Sequence, residues 1–179
     1  MAKVILPDGR TLEIAEGSTV KQVAEQIGLG LAKAAVAAKI DGKLVDLATP
    51  IAESPHVQIV TPKEKEGLEV MRHSCAHVMA EAICSLWPQT KLVYGPTVED
   101  GFYYDIDLDE PIRPDDFPRI EARMREVVEA DKPITRKELS RQEALEKLKD
   151  DKYKTDNIQR ADSEVISFYS HGNGFEDLC

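Results

Sequence analysis

The chain has 179 residues, 42% of them hydrophobic and 31% charged, with 23 basic against 33 acidic side chains and a net charge of −10. That apolar content supports packed cores and excludes an intrinsically disordered chain. The absence of any apolar run near 18 residues excludes a spanning helix, and the acidic balance disfavours non-specific binding to nucleic acid while leaving a focal site open. The charge is uneven: residues 1–62 carry −1 and residues 63–179 carry −9. Glu99, Asp100, Asp105, Asp107, Asp109, Glu110, Asp115 and Asp116 hold much of the excess, as solvated loops and helix starts do. The opening Met1–Asp8 has too short an apolar run for a secretory signal. Cys75, Cys84 and Cys179 form no CxxC pair, which argues for a reducing compartment and an expected cytoplasmic location.

The first 62 residues read as a compact module. Lys3–Leu6 and Thr11–Ile14 are strands joined by a Pro7-Asp8-Gly9-Arg10 turn. Ser18 or Thr19 caps a helix over Val20–Ile27, which Gly28 and Gly30 end. Leu31–Ile40 is ambiguous: its alanines favour helix, yet it runs into Asp41-Gly42, a hairpin signal. Lys43–Leu47 and His56–Val60 read as strands. Together these predict a small α+β roll, with a boundary at the polar, proline-bearing stretch 61–66.

The second part, 63–179, opens with a helix over Lys65–Trp87, ended by Pro88. Val93–Val98 and Phe102–Ile106 read as a hairpin through Glu99-Asp100-Gly101. Asp115 or Asp116 caps a helix through Ile120, Met124, Val127 and Val128. Ile134–Leu139 reads as a strand, Ser140–Glu143 as a capping box opening a helix, and Glu164–Tyr169 as a last strand before a His171–Gly174 turn.

Chemistry concentrates on the first of these helices. In His73-Ser74-Cys75-Ala76-His77, two histidines at i and i+4 share a face and can clasp one ion or one substrate group. At helical spacing Leu68, Met71, Cys75, Val78, Met79, Ala82 and Leu86 form an apolar stripe, and the histidine row continues through Ala80 and Cys84 on nearly the opposite side. Small residues in that row suit the floor of a cleft. A structural or surface pair remains the competing reading, because two ligands do not close a zinc site. Cys75 is expected in the core, and Cys84, about three turns from His73, cannot share its ion.

Other signals are weaker. In Asp151–Thr155 the two lysines read as solvent-facing charges. His56 and His171 stand alone. In a strand, Phe102 and Tyr104 face one side and Tyr103 the other, so some ring must meet solvent, a ligand or a partner. The C-terminal tail is expected to fray, unless the fold holds its cysteine near His73 and His77 as a third group of a metal-like or hydrolytic set. P-loop, GxGxxG and GxSxG motifs are absent.

The motifs Met71–His77, Tyr94-Gly95-Pro96, Gly101–Asp105 and Asp177-Leu178-Cys179, in that order and spacing, resemble the N-terminal half of bacterial threonyl-tRNA synthetases. Residues 1–62, with their Leu6-Pro7-Asp8-Gly9 opening, resemble the ubiquitin-like TGS domain of those enzymes. The resemblance implies an α+β chain: a β-grasp TGS domain at 1–62, then at 63–179 an editing domain of the type shared with alanyl-tRNA synthetases. In the family that domain hydrolyses serine wrongly esterified to threonine tRNA, because one methyl group is worth only about 1–3 kcal/mol of discrimination.

By motif, the resemblance assigns His73 and His77 to the editing HxxxH and Cys179 to the cysteine of CxxxH. By flanking alignment it assigns Lys154 and Asp177, and it puts Tyr104 in the pocket lining. His73 and Lys154 would orient or activate a water, Asp177 would pair with the seryl amino group, and His77 and Cys179 would shape the floor. No metal is assigned, although His73, His77 and Cys179 are the residues that would hold one. In the family Arg-Gly-Pro-His follows the cysteine. The chain is therefore expected to be a fragment with an editing domain truncated at its C-terminal end. It would lack the aminoacylation core with its ATP and zinc, and the regions through which the family dimerises. The expected partner is threonine tRNA, with neither DNA nor a membrane. Two rival readings remain: a non-catalytic TGS-bearing module that grips tRNA or a regulatory partner, and a free-standing metal-dependent hydrolase.

Overall fold

The computed structural model describes residues 2–52 and 54–178; Cys179, a candidate site residue, lies outside them. The backbone forms two compact units that divide between Arg72 and His73.

In the first unit, β1 (Ala2–Ile5) and β2 (Thr11–Ile14) pair antiparallel from Ala2↔Ile14 to Ile5↔Thr11. Thr19, rather than Ser18, caps α1 (Val20–Ile27) in a capping box with Gln22, whose side-chain oxygen accepts the Thr19 N–H at 2.9 Å. Gly28 ends α1, but Gly30 lies inside a second short helix, α2 (Leu29–Ala34). The ambiguous stretch thus divides into helix up to Ala34 and β3 (Ala37–Ile40). Asp41 and Gly42, at φ +48° and +84°, turn the chain into β4 (Lys43–Val45); two successive positive φ angles are what a two-residue hairpin loop needs. β5 (Val57–Val60) completes an antiparallel sheet of order β4-β3-β5. A parallel bridge from Ile5 to His56 joins the first hairpin to it. Val4, Leu6, Ile14, Val20, Val23, Ala38, Ile51 and Val57 fill the core.

The division falls within α3 (Lys65–Leu86). Near its start only glycine fits at position 67, where a Cβ would lie 1.9 Å from the Thr61 carbonyl oxygen. The expected apolar stripe is corrected. Leu68 and Met71 are 40% and 47% exposed, and Cys75 is exposed rather than in the core. The inward residues are Ala76, His77, Ala80, Glu81, Ala82 and Ile83. Small side chains let neighbouring segments approach closely, Glu81 bonds His171 and Lys132, and His77 packs among the His171 and Phe175 rings, so this face buries without a hydrophobic stripe.

In the second unit, β6 (Lys91–Tyr94), β7 (Thr97–Val98), β8 (Gly101–Phe102) and β9 (Asp105–Asp107) form a broken antiparallel ribbon in which β6 pairs with β9 and β7 with β8. The two strands expected over Val93–Val98 and Phe102–Ile106 are therefore each split. Pro96 has no N–H for a ladder, and Tyr103 and Tyr104 leave the strand, so their predicted alternation does not hold. Tyr103 is 46% exposed, whereas Tyr104 turns inward.

A 3-10 turn at Pro114–Asp116 leads into α4 (Phe117–Glu129), which buries Ile120 and Val127. β10 (Ile134–Ser140) ends at the Ser140–Glu143 capping box of α5 (Arg141–Lys147). α6 (Lys152–Arg160), β11 (Val165–His171) and β12 (Phe175–Leu178) follow, and β11 is the central strand of the antiparallel sheet β10-β11-β12. Ala144, Ile158, Ile166 and Phe168 form its core, with Leu139, Leu145, Leu148, Ala161 and Leu178 around them.

Two expectations are overturned here. The tail does not fray over its described residues: β12 pairs with β11 from Phe168↔Leu178 to His171↔Phe175. Lys154 is not a solvent-facing charge; it sits on the inner face of α6 at 7% exposure.

Candidate functional site

Helical spacing puts His73 and His77 one turn apart on α3, with ring centroids 4.6 Å apart and planes tilted by 41°. His77 is only 4% exposed. Loss of hydration disfavours an imidazolium there and holds His77 down at about 4, against a partial pull upward from the charge of Asp177. The same desolvation lowers His73, again opposed by Asp177. Both rings are therefore neutral near pH 7, the state in which an imidazole can accept a proton.

Asp177 and Lys154 arrive from separate elements. Alternation along β12 turns Asp177 inward to 3% exposure. Asp151, the N-cap of α6, accepts the Lys154 N–H at 3.0 Å, which fixes the first helical turn and aims Lys154 at Asp177. The two side chains form a buried ion pair, 9% and 1% exposed. Such a pair is stable only when its remaining hydrogen-bonding capacity is met. Asp177 Oδ1 also accepts the Leu178 N–H at 2.7 Å, and Oδ2 accepts the Tyr104 hydroxyl. Lys154 Nζ stands 3.5 Å from that hydroxyl.

Tyr104 owes its position to Gly95: a Cβ there would come within 2.4 Å of the tyrosine ring. A hollow of about 320 Å3 opens beside the ion pair, lined among others by Cys84, Lys154, Phe168, Phe175 and Asp177. Burial pushes the Cys84 thiol up to about 11, so it stays protonated.

Of the sequence-predicted residues, Tyr104, Lys154 and Asp177 thus meet directly, and the charge of Asp177 reaches both His73 and His77. Cys179 lies outside the described residues. Among the described residues no three His, Cys, Asp or Glu side chains are grouped to hold a metal ion.

Three residues escaped the sequence reading. His171, taken as solitary, is 4% exposed and bonds through Nδ1 to Glu81 Oε2 at 2.8 Å. Lys132 Nζ bonds to the other oxygen of Glu81 at 2.6 Å. The one local signal was the spacing: Glu81 continues His73 and His77 at i+8. Nothing near Lys132 or His171 in the sequence marks them.

Comparison with known proteins gives this geometry its context. Residues 2–61 match the family model of the TGS domain. A threonine–tRNA ligase of Desulfatibacillum aliphaticivorans is 48% identical over 179 residues, covering 100% of this chain and 28% of the relative. One from Pelobacter propionicus is 48% identical over 178 residues, at 98% and 28% coverage. Threonine–tRNA ligase 1 of Bacillus subtilis is 43% identical over 182 residues, at 100% and 28% coverage. Residues 2–61 are thus a TGS domain, a ubiquitin-like β-grasp, in a chain of α+β class. Over its whole length the chain is similar to threonine–tRNA ligases, and it spans 28% of the length of the relatives it matches.

Proposed function

We propose that the region 63–179 is an aminoacyl-ester hydrolase site, the editing part of a threonine–tRNA ligase, and that its substrate is threonine tRNA wrongly charged with serine. The TGS module at 1–62 accompanies it, the protein works in the cytoplasm, and no cofactor acts at this site. ATP, zinc and dimerisation belong to the aminoacylation regions of the whole enzyme. The observation that carries this reading is a pair of imidazoles one helical turn apart, 4.6 Å between centroids with His77 buried, in the same unit as a buried Lys154–Asp177 pair.

In this reading His73 takes a proton from a water as it attacks the ester carbonyl. The Lys154 ammonium steadies the negative charge that develops on the carbonyl oxygen. The C–O bond to the ribose breaks, the proton passes from the imidazolium to the departing hydroxyl, and serine and free tRNA result. An ionised carboxylate offers about four acceptor sites. Three on Asp177 are taken by Lys154, Tyr104 and the Leu178 N–H, which leaves one for the substrate ammonium. His77 forms the floor and Tyr104 a wall.

The reading is tested by incubating the chain with seryl-tRNA and threonyl-tRNA, with and without a chelator. Faster release of serine than of threonine, unchanged by the chelator, is expected. Binding of tRNA without turnover would favour a non-catalytic module, and loss of turnover on chelation a metal-dependent hydrolase.

A further inference from the structure

The second unit holds a further polar cluster, built around a buried carboxylate, that the hydrolytic steps above do not use. Glu81 on α3 is 6% exposed and His171, the last residue of β11, is 4% exposed. Each oxygen of Glu81 has its own donor: Oε1 accepts from Lys132 Nζ at 2.6 Å and Oε2 bonds His171 Nδ1 at 2.8 Å. Lys132 comes from the connection between α4 and β10, and its aliphatic stem passes the β11–β12 turn. A Cβ on Gly172 would sit 3.5 Å from Lys132 Cδ, and the Gly172 N–H donates to the Pro133 carbonyl at 2.9 Å. One carboxylate therefore ties α3, the entry to β10 and the β11–β12 turn together.

Desolvation would raise Glu81, but the hydrogen bonds from Lys132 and His171 outweigh it and hold the carboxyl below its usual range. An ionised carboxylate only accepts, so the proton of the 2.8 Å bond belongs to Nδ1 of His171. The bond also sets the plane of the His171 ring. That ring lies 5.4 Å from Phe175 and 6.1 Å from His77, centroid to centroid, and Phe175 meets His77 edge-on at 6.2 Å and 78°. Two sides of His77 are thus walled by His171 and Phe175, and His77 in turn lies against the tilted ring of His73.

The geometry points to Glu81 and His171 as positioning residues of the candidate site: Lys132 anchors Glu81, Glu81 fixes the His171 ring, and His171 with Phe175 fixes His77 and, through it, His73. This inference rests on the hydrolytic reading for its effect on rate, but not for its effect on the histidines. Packing alone would be served as well by an apolar trio, since a buried carboxylate with one cation and one imidazole gains little over hydrophobic residues of the same volume. What the polar trio adds is a fixed ring plane and a fixed proton.

The test is made on the full chain with 15N-labelled imidazoles, comparing wild type with Glu81→Gln and Lys132→Met. In wild type, His171 Nδ1 is expected to carry a proton. In Glu81→Gln the His171 ring nitrogens shift as that proton is no longer held, and the His77 and His73 ring signals move with them. Release of serine from seryl-tRNA falls on the order of 10-fold in kcat, with KM changed less than twofold. Lys132→Met shifts the same signals in the same direction by less, and decides the matter if Glu81→Gln does not fold. His77 and His73 signals that stay at their wild-type positions in a folded variant would overturn the inference. A wild-type chain that hydrolyses nothing would sink the hydrolytic reading alone, and the spectra would still decide the positioning.

Discussion

At the scale of single residues the site is governed by what burial does to charge. His77 binds its proton only near pH 4 in the folded chain but near 6.5 in the unfolded one. As pH falls through that window the unfolded state takes up a proton that the folded state refuses. Stability is therefore complete above about pH 6.5 and is lost as pH falls toward 4, by on the order of 3 kcal/mol from this residue. His73, shifted in the same direction, adds to the loss. Urea unfolding at pH 7, 6 and 5 should show the decline, and His77→Asn should flatten it; a wild-type curve with no slope over this range would refute the assignment of neutral histidines.

The Lys154–Asp177 pair makes the complementary case. Lys154→Met strands a carboxylate whose side chain is 1% exposed and should cost roughly 3–5 kcal/mol, while adding Asp177→Leu to the same chain should recover much of that loss. Urea midpoints of the single and double variants measure it.

At the scale of elements, what was legible in the sequence is what local chemistry decides. The Ser140–Glu143 capping box and the Asp41-Gly42 turn each specify a boundary by hydrogen bond or positive φ and stand as read, while of the two caps offered before α1 the structure uses Thr19, with Gln22 completing the box. α3 was legible as a helix but not as to which side goes in, because its inner face carries alanines, His77 and Glu81 instead of a leucine stripe. α6 was missed for a related reason. Its inner pair is Lys154 and Ile158, so a charge sits where periodicity looks for an apolar residue.

The broken ribbon of β6 to β9 was read as one hairpin because strand propensity does not register a glycine that accommodates a distant ring. Gly95 is that glycine. Gly95→Ala should push the Tyr104 ring away and free its hydroxyl from Asp177, at a cost of about 1–3 kcal/mol. Loss of tyrosine burial, read by its ultraviolet absorbance together with the urea midpoint, checks this; an unchanged variant would mean that the close approach does not matter.

At the scale of the whole molecule, the charge of −10 and the division into two units frame how the chain can act. A chain this acidic gains nothing from general attraction to RNA, so the proposed recognition of an aminoacylated end would come from a focal pocket. Tyr104, Lys154 and Asp177 were legible only through the family resemblance, the last two by flanking alignment, and they meet as a group. Glu81, Lys132 and His171 were not: the contacts that unite them span 51 and 90 positions of chain, and the spacing of Glu81 from the two histidines on α3 was the one local sign.

The central claim is that this group of side chains hydrolyses an aminoacyl ester with His73 as proton acceptor. The most direct measurement is the rate of serine release from seryl-tRNA by the chain and by its His73→Ala variant, at matched concentration and with both shown to be folded. The account predicts a fall of roughly 10²–10⁴-fold, the usual contribution of a positioned general base. Equal rates in the two proteins would contradict it.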